Sequence, residues 1–203
     1  SSPVYDNVTG LVYVVYGHRF ILGFNPENYT VSDYMYFNST IVDLTVNPTN
    51  GNIYALSNSS VYVINPQSDK VVSIYHVEGI PYKEVYDGEN GLLYILSKLD
   101  NGSYAVQVVG KKGVESLILF HKLPSQLLYD PVTGYVIVLA GSHLYAIKDN
   151  KVLISTTDQY LNTTNSSIRI NVLVVDPKNG MLYGFSLLTL VELSPVSYTH
   201  LTL

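Results

Sequence analysis

Several residue types that would indicate particular chemistries are missing or scarce in this chain of 203 residues. It contains no cysteine, which excludes disulfides and thiolate metal sites and leaves the redox compartment open. Charged residues make up only 13% of the chain and the formal net charge is −5, so the basic footprint of a nucleic-acid-binding protein is absent. Gly, Asn or Ser interrupts every apolar stretch well before the length of a membrane span, and we therefore expect no transmembrane segment.

The chain contains a short pattern that occurs five times: an Asp or Asn, a turn that ends in Gly, and an apolar segment that usually contains Tyr. The turn glycines are 41, 40, 43 and 46 residues apart, at Gly10, Gly51, Gly91, Gly134 and Gly180. A period near forty in an all-β pattern is typical of the blades of a β-propeller.

Each repeat predicts a four-stranded antiparallel sheet. In Asp130-Pro131 the carboxylate can accept hydrogen bonds from turn amides and the proline presets φ, while Gly134 supplies a left-handed corner. The apolar segments that follow, such as 92–96, are too short for a typical helix and suit strands buried on both faces. Polar corners then separate a third strand from a fourth, most clearly at 60–64 and 70–74.

The repeats predict one domain of propeller blades over residues 1–195, with divisions near 4–43, 44–83, 84–126, 127–172 and 173–195. A column of aromatic side chains three positions after the turn glycine should pack between blades. Its members are Tyr13, Tyr54, Tyr94 and Tyr183, with Ile137 in the fourth repeat. Four blades and part of a fifth do not close a ring, so we expect an incomplete fragment of a larger one.

The two ends of the chain differ from the repeats. Residues 196–203, VSYTHLTL, resemble the translation of a transposase-end adapter used in sequencing libraries. We therefore expect a non-native tail on a metagenomic fragment; the alternative is an ordinary strand. The start, Ser1-Ser2-Pro3, has neither Met nor an apolar signal segment, which fits a cleaved N-terminus or an internal cut.

The second repeat, NPTNGNIYALSNSSVYVINPQSDKVVSIYHVEG, resembles the YVTN class of propeller repeats. That class also runs from a D-P-x-x-G turn through a Tyr-bearing strand to a Val-Ile-Asp-like third strand. The other repeats keep the turn and the second strand, and none contains the signature tetrad itself. Because the family includes archaeal surface-layer and other cell-surface proteins, the resemblance implies an extracellular scaffold or adhesive module.

Asn-x-Ser/Thr sequons are more frequent than the composition predicts: seven occur, against about 2.6 expected by chance. We predict covalent N-glycans at Asn7, Asn28, Asn38, Asn58, Asn101, Asn162 and Asn165. The alternative is that turns are simply rich in Asn, Ser and Thr. Strand order would place five of them on one face of the propeller, namely Asn38, Asn58, Asn101, Asn162 and Asn165.

The sequence contains few candidates for catalysis. Its histidines occur singly, without metal-ligand spacing, and are expected in turns or at strand edges. They are His18, His76, His121, His143 and His200. The Asp residues of the turns recur at equivalent positions, as turn caps would. We expect no cofactor and no metal, and only Asp43 and Glu84 as acids near the axis of the propeller.

A set of equivalent positions lies four residues before the turn Asp or Asn of each repeat, where the innermost strand should begin. Polar residues occupy four of these positions, Ser2, Asp43, Lys83 and Gln126, and Val172 occupies the fifth. We predict that they line the mouth of a central channel and hold a ligand or an ion. The alternative is a solvated funnel without a ligand.

Three functions are consistent with these features. The first, which we favour, is a secreted, N-glycosylated propeller at the cell surface, acting in a surface layer, filament or adhesion scaffold and associating with itself or with other surface proteins. The second is a carbohydrate- or ligand-binding module of a larger secreted protein. The third is a propeller enzyme, such as a lyase or lactonase, with its catalytic groups at the axis.

Overall fold

The computed structural model of the chain describes residues 1–141, 143–149, 151–156, 172–185 and 190–195. These residues form antiparallel sheets of consecutive strands, and the predicted all-β propeller is confirmed. The chain divides into two compact units, Ser1–Leu117 and Ile118–Leu203. Three of the sequence predictions lie outside the described residues: the sequons at Asn162 and Asn165, His200, and the tail 196–203.

Three blades begin in the first unit. The first contains β1 (Val4–Asp6), β2 (Leu11–Tyr16), β3 (Phe20–Asn25) and β4 (Thr30–Tyr36). The second contains β5 (Ile41–Val46), β6 (Ile53–Ser57), β7 (Ser60–Asn65) and β8 (Lys70–His76). The third contains β9 (Ile80–Asp87), β10 (Leu92–Lys98), β11 (Tyr104–Gly110) and β12 (Gly113–Phe120). Each sheet is a simple meander in which strand order follows the sequence.

The second unit contains a fourth blade and part of a fifth. The fourth consists of β13 (Pro124–Asp130), β14 (Tyr135–Ala140), β15 (His143–Lys148) and β16 (Lys151–Thr156). The fifth, as described, is the three-stranded sheet of β17 (Val172–Val175), β18 (Leu182–Phe185) and β19 (Leu190–Leu193). The innermost strands β5, β9 and β13 begin a few residues before the repeat divisions that the sequence predicts.

The turn between the first two strands has the same geometry in all five blades. Its glycine has φ between 69° and 73° and donates its backbone N–H to the carbonyl of the turn Asp or Asn. In the first turn, the Asp6 carboxylate also accepts the N–H of Val8 at 2.9 Å and the hydroxyl of Thr9 at 2.6 Å. This confirms the predicted role of the turn residues and explains why the pattern repeats.

Apolar side chains pack between consecutive blades. In the first unit, Tyr13, Ile21 and Met35 of the first blade form one buried cluster with Ile53 and Ile64 of the second. Of the predicted aromatic column, Tyr13 and Tyr94 are buried, as expected. Tyr54 is only half-buried, and its ring stacks on that of Tyr86 with the centroids 4.9 Å apart. Burial between sheets therefore supplies the core.

Candidate functional site

The equivalent positions predicted on the innermost strands do share one register. Asp43 pairs with Leu56, Lys83 with Leu96 and Gln126 with Leu139, each five residues after its turn glycine. In all three strands the pairing shifts just before this position, at a β-bulge or similar irregularity. Such irregularities re-aim side chains and are frequent beside functional sites.

The structure brings two of these residues together and adds a neighbour, Glu84. Lys83 Nζ lies 3.8 Å from Asp43 Oδ2, and the backbone N–H of Glu84 donates to the same oxygen at 3.0 Å. The Asp43 side chain is almost fully buried, whereas that of Lys83 is 37% exposed. At this distance and exposure the ion pair stabilises the fold little, but it fixes where the Asp43 carboxylate lies.

Glu84 occupies a position that is apolar in the other blades. Leu44, Leu127 and Leu173 stand at the equivalent place, three residues before the turn Asp or Asn, and all are buried. Glu84 is buried too, at 2% exposed, and neither of its carboxylate oxygens has a hydrogen-bond partner among the described residues. A buried carboxyl group without partners is costly and is maintained by the packing around it.

Burial raises the pKa of Glu84 well above its usual value, and the nearby Asp43 carboxylate raises it further. Lys83 and the Leu56 amide favour the ionised form, although the geometry of that amide falls short of a hydrogen bond. Burial also raises the pKa of Asp43, against the opposing effect of Lys83. These directions favour the neutral form of Glu84.

The remaining residues predicted to line the mouth of the central channel differ in their surroundings. Ser2 is exposed and precedes the first residue of β1. Val172 is 49% exposed at the start of β17, and Gln126 is half-buried in β13. Asp43, Lys83 and Glu84 thus form a polar cluster between the second and third blades.

The asparagines of the described sequons are all exposed and occupy the predicted turns. Asn58 lies between β6 and β7, Asn101 between β10 and β11, and Asn38 between β4 and β5. These three connections lie at one end of the antiparallel strands, and the turns with Asn7 and Asn28 lie at the other. The Asn101 side-chain oxygen accepts the hydroxyl of Ser103 at 2.6 Å, and Asn28 accepts that of Thr30 at 2.7 Å. In both, the hydroxyl that defines the sequon contacts its asparagine.

An exposed aromatic cluster, formed by Phe20, Tyr34 and Tyr36, lies on β3 and β4. The Phe20 ring is 5.1 Å from that of Tyr34 and 5.2 Å from that of Tyr36, centroid to centroid. Both tyrosines are more than half exposed. Sequence reasoning did not identify this cluster, because its members meet only through the pairing of β3 with β4.

The described histidines lie in turns and near strand ends, as expected. His18 lies in the turn after β2 with φ 64°, and His76 ends β8, where its Nδ1 is 3.2 Å from the Ser60 hydroxyl. Across the described ranges, no three His, Asp or Glu side chains are grouped to hold a metal ion. The same ranges contain no helix with the length and apolarity needed to cross a membrane.

Comparison with known proteins establishes the fold alone. No family model matches the chain and no curated protein matches its sequence. Among solved structures it is similar to Kuenenia stuttgartiensis hydrazine synthase, with a TM-score of 0.72 and 13% sequence identity. The match covers 90% of this chain and 60% of that one, so the chain spans less than two thirds of its structural neighbour. The likeness supports the propeller architecture and says nothing about chemistry.

Proposed function

We propose that this chain is a propeller module of a secreted, N-glycosylated protein, with a structural or adhesive role at the cell surface. The observation that carries the proposal is the exposure of the asparagine in every sequon that the structure describes. Exposed turns are where N-glycans are accommodated without disturbing a core. The resemblance of the second repeat to YVTN propellers, which occur in archaeal surface proteins, supports the same location.

The arrangement of the polar cluster is consistent with a scaffold. Glu84 and Asp43 are buried within packed blades, whereas a catalytic acid must reach a substrate. The Asp residues of the turns accept backbone N–H groups of their own turns, so their recurrence follows from folding.

Surface labelling tests the location. Intact cells that express the native protein are treated with a membrane-impermeant amine reagent, which will reach exposed lysines such as Lys111 and Lys112. We expect both to be labelled on intact cells, as a known surface protein is. The proposed location would be refuted if the known surface protein is labelled on intact cells but Lys111 and Lys112 are labelled only after the cells are lysed.

The aromatic cluster favours a second candidate function, a carbohydrate-binding module. Adjacent exposed tyrosines present flat apolar faces with hydroxyls at their edges, which suits the C–H faces and hydroxyls of sugar rings. Glycan-array binding by the purified chain tests this function. Tyr34→Ala and Tyr36→Ala should abolish any binding, while Tyr29→Ala, at a 79% exposed site in the turn before β4, should leave it intact. Equal binding by all three variants would contradict the assignment.

A further inference from the structure

The first blade packs against the second with only one of its faces. Tyr13, Ile21 and Met35 on that face belong to the buried cluster shared with the second blade. The part of the opposite face that lies nearest the first turn, called the open face below, has two rows of paired residues. Its members are Tyr5, Val12 and Phe24 in one row and Val14 and Leu22 in the other. All five are apolar or aromatic, which is unusual for a face that remains in water.

The same positions in the second blade are buried against the first. By strand register, the counterparts of the open face are Val46, Ile53, Ile64, Ala55 and Tyr62, and all of them pack in the shared cluster. Ile53 and Ala55 are 0% exposed and Ile64 is 1% exposed. In the first blade, Tyr5 is 60% exposed and the other four residues are half-buried. The open face therefore has the surface of a blade interface without a blade against it.

Two of the turn glycines show the same difference, whereas Gly91, whose preceding blade has Asn47 in place of the Asp, would place a Cβ near Tyr86 Oη of its own blade alone, at 3.7 Å. A Cβ added to Gly51 would lie 2.9 Å from a carboxylate oxygen of Asp6 in the preceding blade, and one added to Gly180 would lie 2.9 Å from an oxygen of Asp130. At Gly10, the equivalent residue of the first blade, a Cβ would meet nothing within 4 Å. The space that an Asp of the preceding blade fills at Gly51 and Gly180 is thus unfilled at Gly10.

We propose that the open face binds a further propeller blade of the same polypeptide, whose first turn places an Asp carboxylate against Gly10. The contacts between the first two blades define what this blade presents: aromatic and aliphatic side chains at the places of Tyr13, Ile21 and Met35. A blade on the same polypeptide is held at high effective concentration, and the propeller neighbour is a longer chain than this one. The proposal is independent of where the protein acts.

Side-chain oxidation by hydroxyl radicals, read by mass spectrometry, tests the proposal on the full-length polypeptide and on the 203-residue chain. Tyr5 and Phe24 report on the open face. Tyr34 is the internal control, because its counterpart Ile74 stays 53% exposed although the first blade packs beside the second. We expect Tyr5 and Phe24 to react several-fold more slowly in the full-length polypeptide and Tyr34 to react equally in both.

Two results would overturn the proposal. Equal reactivity of Tyr5 and Phe24 in both proteins would show that nothing covers the open face. Protection that already appears in the 203-residue chain and grows with its concentration would identify the occupant as a second copy. A Gly10→Ala variant adds a second readout: its melting temperature should fall further, relative to wild type, in the full-length polypeptide than in the 203-residue chain.

Discussion

The carboxylate of Asp6 lies against the α-carbon of Gly51 in the next blade, so close that a methyl group there would be 2.9 Å from its oxygen. Asp6 thus has two roles. It accepts the amide and hydroxyl hydrogens of its own turn, and it packs on the turn of its neighbour. Asp130 and Gly180 repeat the contact in the second unit. Turn chemistry and blade packing therefore depend on the same residues.

This contact predicts that Gly51→Ala is more damaging than the same change at another left-handed glycine. Gly102 is the matched control, because its φ is 83° and a Cβ there would meet nothing within 4 Å. Gly102→Ala should lower the free energy of unfolding by about 1 kcal/mol through backbone strain alone. Gly51→Ala should lower it by about 2–4 kcal/mol, since a clash is added. Equal losses in urea unfolding would contradict the contact.

Tyr94 provides a test of burial between blades. It is 1% exposed at the centre of β10, and Tyr94→Ala should lower the free energy of unfolding by about 3–5 kcal/mol. Tyr5→Ala, at a 60% exposed position, should change it by less than about 1 kcal/mol in the 203-residue chain. Urea unfolding of both variants measures the difference. A small effect at Tyr94 would show that the column does not form the core.

Glu84 predicts the pH dependence of stability. Since its pKa is raised in the folded chain, the folded state binds the proton more tightly than the unfolded state does. The contribution of Glu84 to stability should therefore be largest below about pH 4.5 and should be lost as pH rises through the raised pKa of the folded state. Asp43, whose pKa is also raised, contributes with the same sign.

Two variants separate the charge of Glu84 from its polarity. Glu84→Gln removes the charge and should flatten the pH dependence. Glu84→Leu restores the residue found at this position in three other blades and should also raise stability at neutral pH by about 1–4 kcal/mol. Urea midpoints between pH 4.5 and pH 9 measure both effects. If stability instead rises with pH in the wild type, the burial of an unpartnered Glu84 is wrong.

Much of the fold could be predicted from the sequence because each blade repeats one local solution. Gly134 after Asp130-Pro131 indicates the turn, and the apolar run after it indicates a strand buried on both faces. These signals are local, and the structure confirms them. The position of Asp43 relative to Leu56 was also predictable, since equivalent residues recur at a fixed distance from each turn glycine.

The functional surfaces were less predictable: the aromatic cluster depends on pairing beyond an irregularity in the sheet, and Glu84 is a charged residue at a buried position. Phe20 meets Tyr34 and Tyr36 only through the register of β3 with β4, which shifts between Gly23 and Phe24. Glu84 pairs with Ile95 in unbroken register from the turn at Asp87, so its face could be counted from the turn, but a carboxylate is rarely fully buried without a partner. Alignment of Glu84 with Leu44 and Leu127 indicates that its position is buried, but this conclusion depends on knowing the strand register.

Glycopeptide mass mapping of the protein from its native source tests whether this propeller is N-glycosylated. We expect N-glycans at sequons in exposed turns, above all Asn58 and Asn101, which lie at the same end of their blades. Asn47, whose Asn-Pro-Thr is not a sequon, is the control and should be unmodified. Unmodified asparagine at every sequon, in peptides recovered in good yield, would contradict a secreted glycoprotein.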